Sequence, residues 1–426
     1  MMNQNYKKRL LEEVIDFRLK TKGALLIVGP KWCGKTTTAK RFSKSVLNMQ
    51  DPKYKNQYLA LASIGPEELL KGETPRLIDE WQIAPALWDA IRQTVDERQL
   101  FGQFIMTGSS TSLQLSKTSH TGTGRIVSVL MRPMSLFESL DSTGDLSLRD
   151  LFNQQVKQKT FTSPLTFEDI RFLICRGGWP LSIQKDKKIA LQQAKDYVKA
   201  LTQYDIQDID QVNRSVIRSK AVLKHYARHV STPAKLTTIL MDINESDESS
   251  TMTMITMVDY IDAFKKLFVI EEVEAWNPNF RSKTRARSKP IRQFVDPSIA
   301  AAALRLSPDD LLGDLHTCGL LFESLCLRDL RIYADALEGN VFHYRDNTNL
   351  EIDAIIHLDD GRWGAIEVKL GPSDIPLAVE NLKRLVNKMN TDKMKKPSFL
   401  MVLTATGIGY QTEDGVWIVP IGNLKN

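Results

Sequence analysis

The sequence predicts an α/β fold of several domains, and three observations carry that expectation. A short apolar strand runs into a glycine-rich loop and then a helix near residue 30. A long middle stretch places apolar residues at helical spacing. Near residue 360 two alternating segments flank a three-residue loop. The 426 residues make two to four domains at roughly 100–200 residues each. Hydrophobic residues at 42 % and charged residues at 25 % exclude wholesale disorder and a fibrous repeat. The 57 basic and 51 acidic side chains leave only +6, so any surface for a polyanion must be a local patch. Cys33, Cys175, Cys318 and Cys326 form no CxxC pair, which points away from disulfides or zinc and toward a reducing cytoplasm. The N-terminal segment has no apolar leader, and no apolar run reaches the roughly 18–20 residues that span a bilayer, so no membrane association is expected.

Gly23-Ala-Leu-Leu-Ile-Val-Gly29 reads as a buried strand. It leads into Gly29-Pro-Lys-Trp-Cys-Gly34-Lys35-Thr36, which fits GxxxxGK[ST] in full, and a helical stretch from Thr37 to Leu47 follows. In that context backbone N–H groups of the loop and the helix start, with Thr36 and Thr37, face phosphates. Lys35 would reach the β and γ phosphates, and Thr36 would give its hydroxyl to Mg²⁺. ATP and Mg²⁺ are therefore the expected cofactors. The apolar strand Pro75-Arg-Leu-Ile-Asp79-Glu80 supplies the next piece. Asp79 would hold Mg²⁺ through water, and Glu80 would polarise the attacking water as general base. A third strand, Gln103-Phe-Ile-Met-Thr107-Gly-Ser109-Ser110, ends in hydroxyl residues. Arg125 precedes the last core strand and is expected near the phosphates, in cis or on a neighbouring copy, or else in a plain salt bridge.

GPKWCGKT, LIDEWQ, FIMTGSS, TGTGRI and Arg132-Pro-Met-Ser-Leu-Phe-Glu138 together resemble the prokaryotic AAA-type ATPases that end in a domain of unknown function, DUF4143. Arg176-Gly-Gly-Trp-Pro180 is similar to that family's helical-lid motif, and Tyr204-Asp205 to its next landmark. The resemblance spans almost the whole chain, with long insertions around 157–166 and 242–251. It implies a γ-phosphate sensor at the end of the third strand, where Ser109 is the first choice and Thr107 the second. It divides the chain into an ATPase core at 1–135, a helical lid at 136–210, a winged-helix domain at 211–300 and a nuclease-like domain at 301–426. A homo-oligomer is a further expectation.

Residues 133 to about 210 read as helical, with a loop near 142–145. From 222 to 273 the pattern is helix, loop, helix, strand, which resembles a winged helix-turn-helix. The hairpin beyond carries Arg281, Lys283, Arg285, Arg287 and Lys289, all odd-numbered and without an acid among them. In an extended strand they share one face, so they either meet a DNA backbone or guard a solvated edge.

Asn349–Leu358 and Trp363–Leu370 both alternate, and Asp359-Asp360-Gly361 between them suits a type I turn with a G1 bulge. That loop sets Asp353 opposite Glu367 and Glu351 opposite Lys369. Opposed carboxylates destabilise a hairpin unless a cation binds them or one keeps its proton. Asp353, Glu367 and Lys369 resemble the PD-(D/E)XK nuclease core, in which the acids hold Mg²⁺ and the Lys serves the reacting water. Glu323, on a helix, matches the extra acid of that core. Intact catalysis and a nuclease-like fold kept for binding or packing remain equally open. The leading functional reading is an ATP-driven protein that processes or surveys branched or single-stranded DNA. The alternative is a nucleotide-switched signalling or scaffold ATPase with an inert C-terminal domain. A small-molecule kinase fits less well, because no acceptor lid is evident.

Overall fold

Alternation along β1 (Ala24–Val28) builds the first three layers of the molecule. All five residues are buried. Ala24, Leu26 and Val28 join Ile78, Trp81, Leu87, Ile91 and Met106 on one face. Leu25 and Ile27 join Leu11, Ile15, Ala39, Ile105 and Val129 on the other. The computed structural model describes residues 6–108, 122–156, 160–210, 212–246, 248–277, 289–389 and 395–426. The other strands of this sheet are β2 (Ser45–Asn48), β3 (Arg76–Asp79), β4 (Phe104–Gly108) and β5 (Ile126–Leu130). They run parallel in the order β2-β3-β4-β1-β5, so β4 is inserted between β1 and β3. Among the described residues four helices belong to this part: α1 (Leu11–Leu19), α2 (Lys35–Phe42), α3 (Lys55–Ile64) and α4 (Ala86–Arg98). The helix expected to reach Leu47 ends at Phe42, where Ser43 turns extended and the chain enters β2.

The expected lid is not purely helical. It contains β6 (Leu146–Ser147), α5 (Leu148–Asn153), β7 (Phe161–Thr162), α6 (Phe167–Arg176) and α7 (Lys187–Ala200), which runs into a π-turn over Leu201–Asp205. Strand β6 pairs in parallel with β14 (Leu424–Lys425). β7 adds itself to the C-terminal sheet beside β12 (Ile408–Gln411). Asn423 Nδ2 donates to Asp145 and to the Thr162 carbonyl, fastening the last residues to this segment. Next come α8 (Val216–Arg228), α9 (Leu236–Ser246) and α10 (Met254–Lys266), started by Ser215 and Thr253 caps on α8 and α10. The expected strand at 268–273 makes single antiparallel bridges, Ile270 to Phe294 and Val273 to Ile291, instead of a continuous ladder.

Helices α11 (Pro297–Leu304), α12 (Pro308–Gly313) and the long α13 (Leu315–Asp335) lead to the second sheet. Its order is β7-β12-β13-β11-β10-β9-β8, where β8 is Gly339–Arg345, β9 Glu351–Leu358, β10 Trp363–Lys369, β11 Phe399–Thr404 and β13 Trp417–Pro420. α14 (Ile375–Lys388) covers one face through Ala378, Leu382 and Leu385. Leu321, Leu325 and Ile332 of α13 join the core on the other. One continuous apolar core runs from Leu136 through the middle helices, α13 and one face of the second sheet to Leu424, while α14 packs with the other face in a separate cluster. Among the described residues no helix is long and apolar enough to cross a membrane.

Candidate functional site

Three parallel strands deliver their C-terminal ends to one place. β1 leaves the sheet at Gly29, β3 ends at Asp79, and β4 places Thr107 beside Asp79. Gly29 has φ +146°, and a Cβ there would lie 2.1 Å from the Met131 carbonyl oxygen, so the loop can turn here only without a side chain. The loop then meets α2, whose first residue is Lys35. The buried Lys35 ammonium donates to the Gly29 and Pro30 carbonyls at 2.9 and 2.8 Å. Thr36 Oγ1 donates to Asp79 Oδ1 at 2.7 Å, and Thr107 Oγ1 donates to the same oxygen. Glu80 takes a left-handed backbone (φ 58°), which few residues other than glycine adopt. Its half-buried carboxyl accepts a hydrogen bond from Gln82, and burial pushes it above the usual carboxylate range.

A cleft of about 370 Å³ opens beside Gly34, Thr37 and Thr38. Tyr6, Arg9 and Lys7 of the N-terminal segment and Pro180, Ile183 and Lys185 of the lid wall it. The tip of the loop is clamped by the lid. Lys31 pairs with Asp205 at 2.6 Å, and the Trp32 ring lies 5.7 Å from Tyr197. Trp179 of the RGGWP run packs on the other side of that cluster, 4.3 Å from Tyr197, and donates through Nε1 to Ser298.

Arg9 ties the loop to the rest of the protein. It donates to the Cys33 carbonyl at 2.8 Å, to the Arg132 carbonyl at 2.7 Å and to Glu138 at 3.1 Å. The buried Arg132 guanidinium in turn meets Glu271 and Asp335. Glu271 is held down to about 2: burial alone would raise it, but Arg132 and Arg331 outweigh burial.

A second constellation lies at the far end of α13. Pairing of β9 with β10 sets His357 against Trp363 and Ala354 against Ile366, the expected register. Gly361, with φ +81°, closes the three-residue loop that fixes it. Past Ile366 the strands part. Asp353 Oδ2 accepts from the Val368 backbone N–H at 2.7 Å, while β10 continues along β11. Lys369 Nζ lies 2.5 Å from Glu367 and 3.5 Å from Asp353, and Asn381 donates to Glu367 at 3.3 Å. Burial, then Asp353, pushes Glu367 up to about 8. Burial, then Asp353, also raises Glu323 well above its ordinary value. Burial would lower Lys369, but Asp353 and Glu367 outweigh it and hold the ammonium raised. Glu323 and Glu367, both raised and close to one ammonium, favour a cluster that keeps a proton or takes up a second cation.

A family model described as an AAA domain matches residues 21–140. One for a domain of unknown function, DUF4143, matches 318–424. The chain therefore contains an AAA domain and a C-terminal DUF4143 domain. A further domain of unknown function, DUF8612, covers 167–310. No curated protein matches the sequence. Among solved structures, a Walker-type ATPase of Pyrococcus abyssi is 13 % identical, with a TM-score of 0.43, over 71 % of this chain and 99 % of that one. The ORC2 protein of Aeropyrum pernix is 11 % identical, with a TM-score of 0.35, over 73 % and 97 %.

In the AAA domain the structure brings Gly29, Gly34, Lys35, Thr36, Asp79, Glu80 and Thr107 together. Thr37 is exposed on the cleft. Ser109 lies outside the described residues. Arg125 is a correction. It precedes β5, whose first residue pairs with Ala24, so it sits at the end of the parallel sheet opposite the loop. There it is exposed and bonded to Asp96 at 2.7 Å. In the DUF4143 domain Glu323, Asp353, Glu367 and Lys369 share one cluster. Glu351 is instead paired with Arg345 at 2.9 Å. Among the described residues no group of three His, Cys, Asp or Glu side chains is disposed to hold a metal ion, because Lys369 lies between the acids. Arg281, Lys283, Arg285 and Arg287 fall outside the described residues; Lys289 is exposed, and its carbonyl lies 3.0 Å from His343 Nε2. Arg9, Tyr6 and Trp32 had no signal in their local sequence, because their partners are distant along the chain.

Proposed function

We propose that the chain hydrolyses ATP with Mg²⁺ and uses the nucleotide cycle to control how its middle and C-terminal regions hold DNA. The observation that carries the first half is the meeting of Lys35, Thr36, Asp79 and Glu80 at one sheet edge. Their chemistry fits the cofactor: a hydroxyl and a carboxylate, hard oxygen donors, already share a hydrogen bond where a divalent ion would be held. Bound Mg²⁺ would neutralise charge on the phosphates. Lys35 exchanges its two loop carbonyls for phosphate oxygens. Glu80, raised by burial, takes the proton of a water that attacks the γ phosphorus, and ADP leaves. Thr107 holds the same Asp79 oxygen that Thr36 reaches.

The DNA half rests on the acid-free basic run at 281–289, on the helices and bridged arms between 216 and 294 that follow a winged-helix order, and on the carboxylate cluster. The cluster has the residue types of a metal-dependent nuclease. One observation favours the alternative reading of a nucleotide-switched scaffold with an inert C-terminal domain: Lys369 already occupies the space between Asp353 and Glu367. ATP turnover with and without single-stranded, duplex and branched DNA tests both. Wild type should hydrolyse ATP faster with DNA, Lys35→Ala should lose nucleotide binding, and Glu80→Gln should bind ATP while turning over at least a hundredfold more slowly. Turnover indifferent to every DNA would favour the scaffold, and wild-type turnover by Glu80→Gln would remove Glu80 as the base.

A further inference from the structure

Helix α8 (Val216–Arg228) contains no acidic residue. Lys220, Lys224 and Arg228 recur at every fourth position, so they line one face about 12 Å long at 1.5 Å per residue. All three are exposed and have no ion-pair partner among the described residues. Elsewhere on the surface some lysines are matched, such as Lys187 with Glu168 and Lys383 with Asp414, and others, including Lys188, Lys195 and Lys199 of α7, are unmatched among the described residues; α8 differs in having no acidic residue along its length. Like charges spaced i, i+4 destabilise a helix, so this face gains when an anion lies along it. The opposite face of α8 is fixed in the core through Val222, Leu223, Tyr226 and Ala227. It is therefore not free to insert into a bilayer.

What the helix points toward selects the anion. Just beyond Arg228, Ser231 lies against α13: its hydroxyl donates to the Leu320 carbonyl at 2.8 Å and reaches Glu323. The C-terminal end of α8 is thus three residues from a contact with Glu323 of the carboxylate cluster. The outer side of α10, the third helix of this unit, mixes Asp259 and Asp262 with Lys265 and Lys266, and Asp259 and Lys265 are paired to Arg214 and Glu272. We propose that Lys220, Lys224 and Arg228 of α8 form a track for a nucleic-acid backbone that leads a phosphodiester toward the carboxylate cluster. This rests on the DNA reading above and names α8, not α10, as the element that meets the phosphates.

The test is binding of fluorescent single-stranded and duplex DNA across a salt series, without nucleotide and with EDTA. The variant is Lys220→Gln/Lys224→Gln/Arg228→Gln. A control with equal charge loss on α7 is Lys188→Gln/Lys195→Gln/Lys199→Gln. Circular dichroism melts of both check that the fold is intact. Three phosphate contacts predict that the log–log salt slope on duplex flattens by about 2.7, and by about 2.1 on single strands, in the α8 variant only. Equal slopes in wild type and the α8 variant, or equal flattening by the α7 control, would overturn the track while leaving DNA binding standing. No DNA binding by wild type would overturn the DNA reading and the track together. Sedimentation with phosphatidylserine-containing vesicles, lost in the α8 variant while DNA binding is unchanged, would assign the face to a membrane and also overturn it.

Discussion

Replacing Arg132 with Met should destabilise the protein by about 2–3 kcal/mol at pH 7, and the structure supplies the arithmetic. Arg132 is buried and meets both Glu271 and Asp335. Glu271 is held from 4.5 down to about 2. At roughly 1.4 kcal/mol per tenfold, that is about 3.4 kcal/mol of stabilisation, of which Arg132 supplies the larger part and Arg331 the rest. Glu271 keeps 23 % of its side-chain exposure, so solvent screening trims the figure to about 2–3. It agrees with the roughly 3–5 kcal/mol for stranding partners of a buried pair. The sign with pH follows. A depressed carboxyl stabilises fully above pH 4.5, and that contribution is lost as pH falls through about 2. In the variant, burial pushes Glu271 upward, so it takes up a proton at higher pH than in wild type. The gap between the two proteins should therefore be largest at pH 7 and narrow toward acid. Urea denaturation followed by tryptophan fluorescence at pH 7 and pH 3 measures it. A loss under about 0.5 kcal/mol, the range of an ordinary surface substitution, or an equal gap at both pH values would refute the reasoning.

Two further outcomes test the C-terminal half. If a metal ion can displace Lys369 from between the acids, Mn²⁺ should raise the thermal midpoint in a Lys35→Ala background without nucleotide, by linkage worth about 2.7 kcal/mol at a hundredfold excess over its dissociation constant. Asp353→Asn should abolish that rise; a midpoint indifferent to metal in both proteins would leave the cluster as packing around Lys369. Arg285→Ala/Arg287→Ala should flatten the duplex salt slope by about 1.8, and an unchanged slope would make that run a solvated edge.

How much of this was legible depended on whether the partners lie near each other in the chain. Loop and helix from Gly29 to Thr36 are contiguous, and their chemistry could be read directly. Register in the β9–β10 hairpin was legible because a loop of three residues leaves little freedom. Asp353 failed at one detail: its carboxylate bonds to the Val368 N–H, because β10 turns from β9 to follow β11. β6 and β7 were hidden because each is two residues long and exists only through partners more than 240 residues away. Strand β2 was mistaken for helix because Ser45–Asn48 is a half-exposed edge with little apolar pattern. Arg125 was misplaced for a reason that strand direction alone could have removed. In a parallel sheet, a residue before a strand lies at the end opposite the loop that follows β1.

The location of Arg132 constrains how the two ends of the protein can communicate. It follows β5 directly and sits next to the phosphate-binding loop, whose Cys33 carbonyl and its own carbonyl both accept from Arg9. Its side chain reaches Asp335, the last residue of α13. The same helix carries Glu323 about 18 Å away at 1.5 Å per residue. A helix is stiff along its axis, and α13 is buried along most of its length, so a shift at Asp335 is passed to Glu323 more readily than it is absorbed. The middle and C-terminal elements share one core, which leaves no slack linker between them in the described chain. If nucleotide moves the loop, as the proposed function requires, the shortest connected route from it to the carboxylate cluster is Arg132, Asp335 and α13. In the Arg132→Met protein that transmission is cut at its first step while Lys35, Asp79 and Glu80 remain in place. ATP hydrolysis should then persist without its response to DNA.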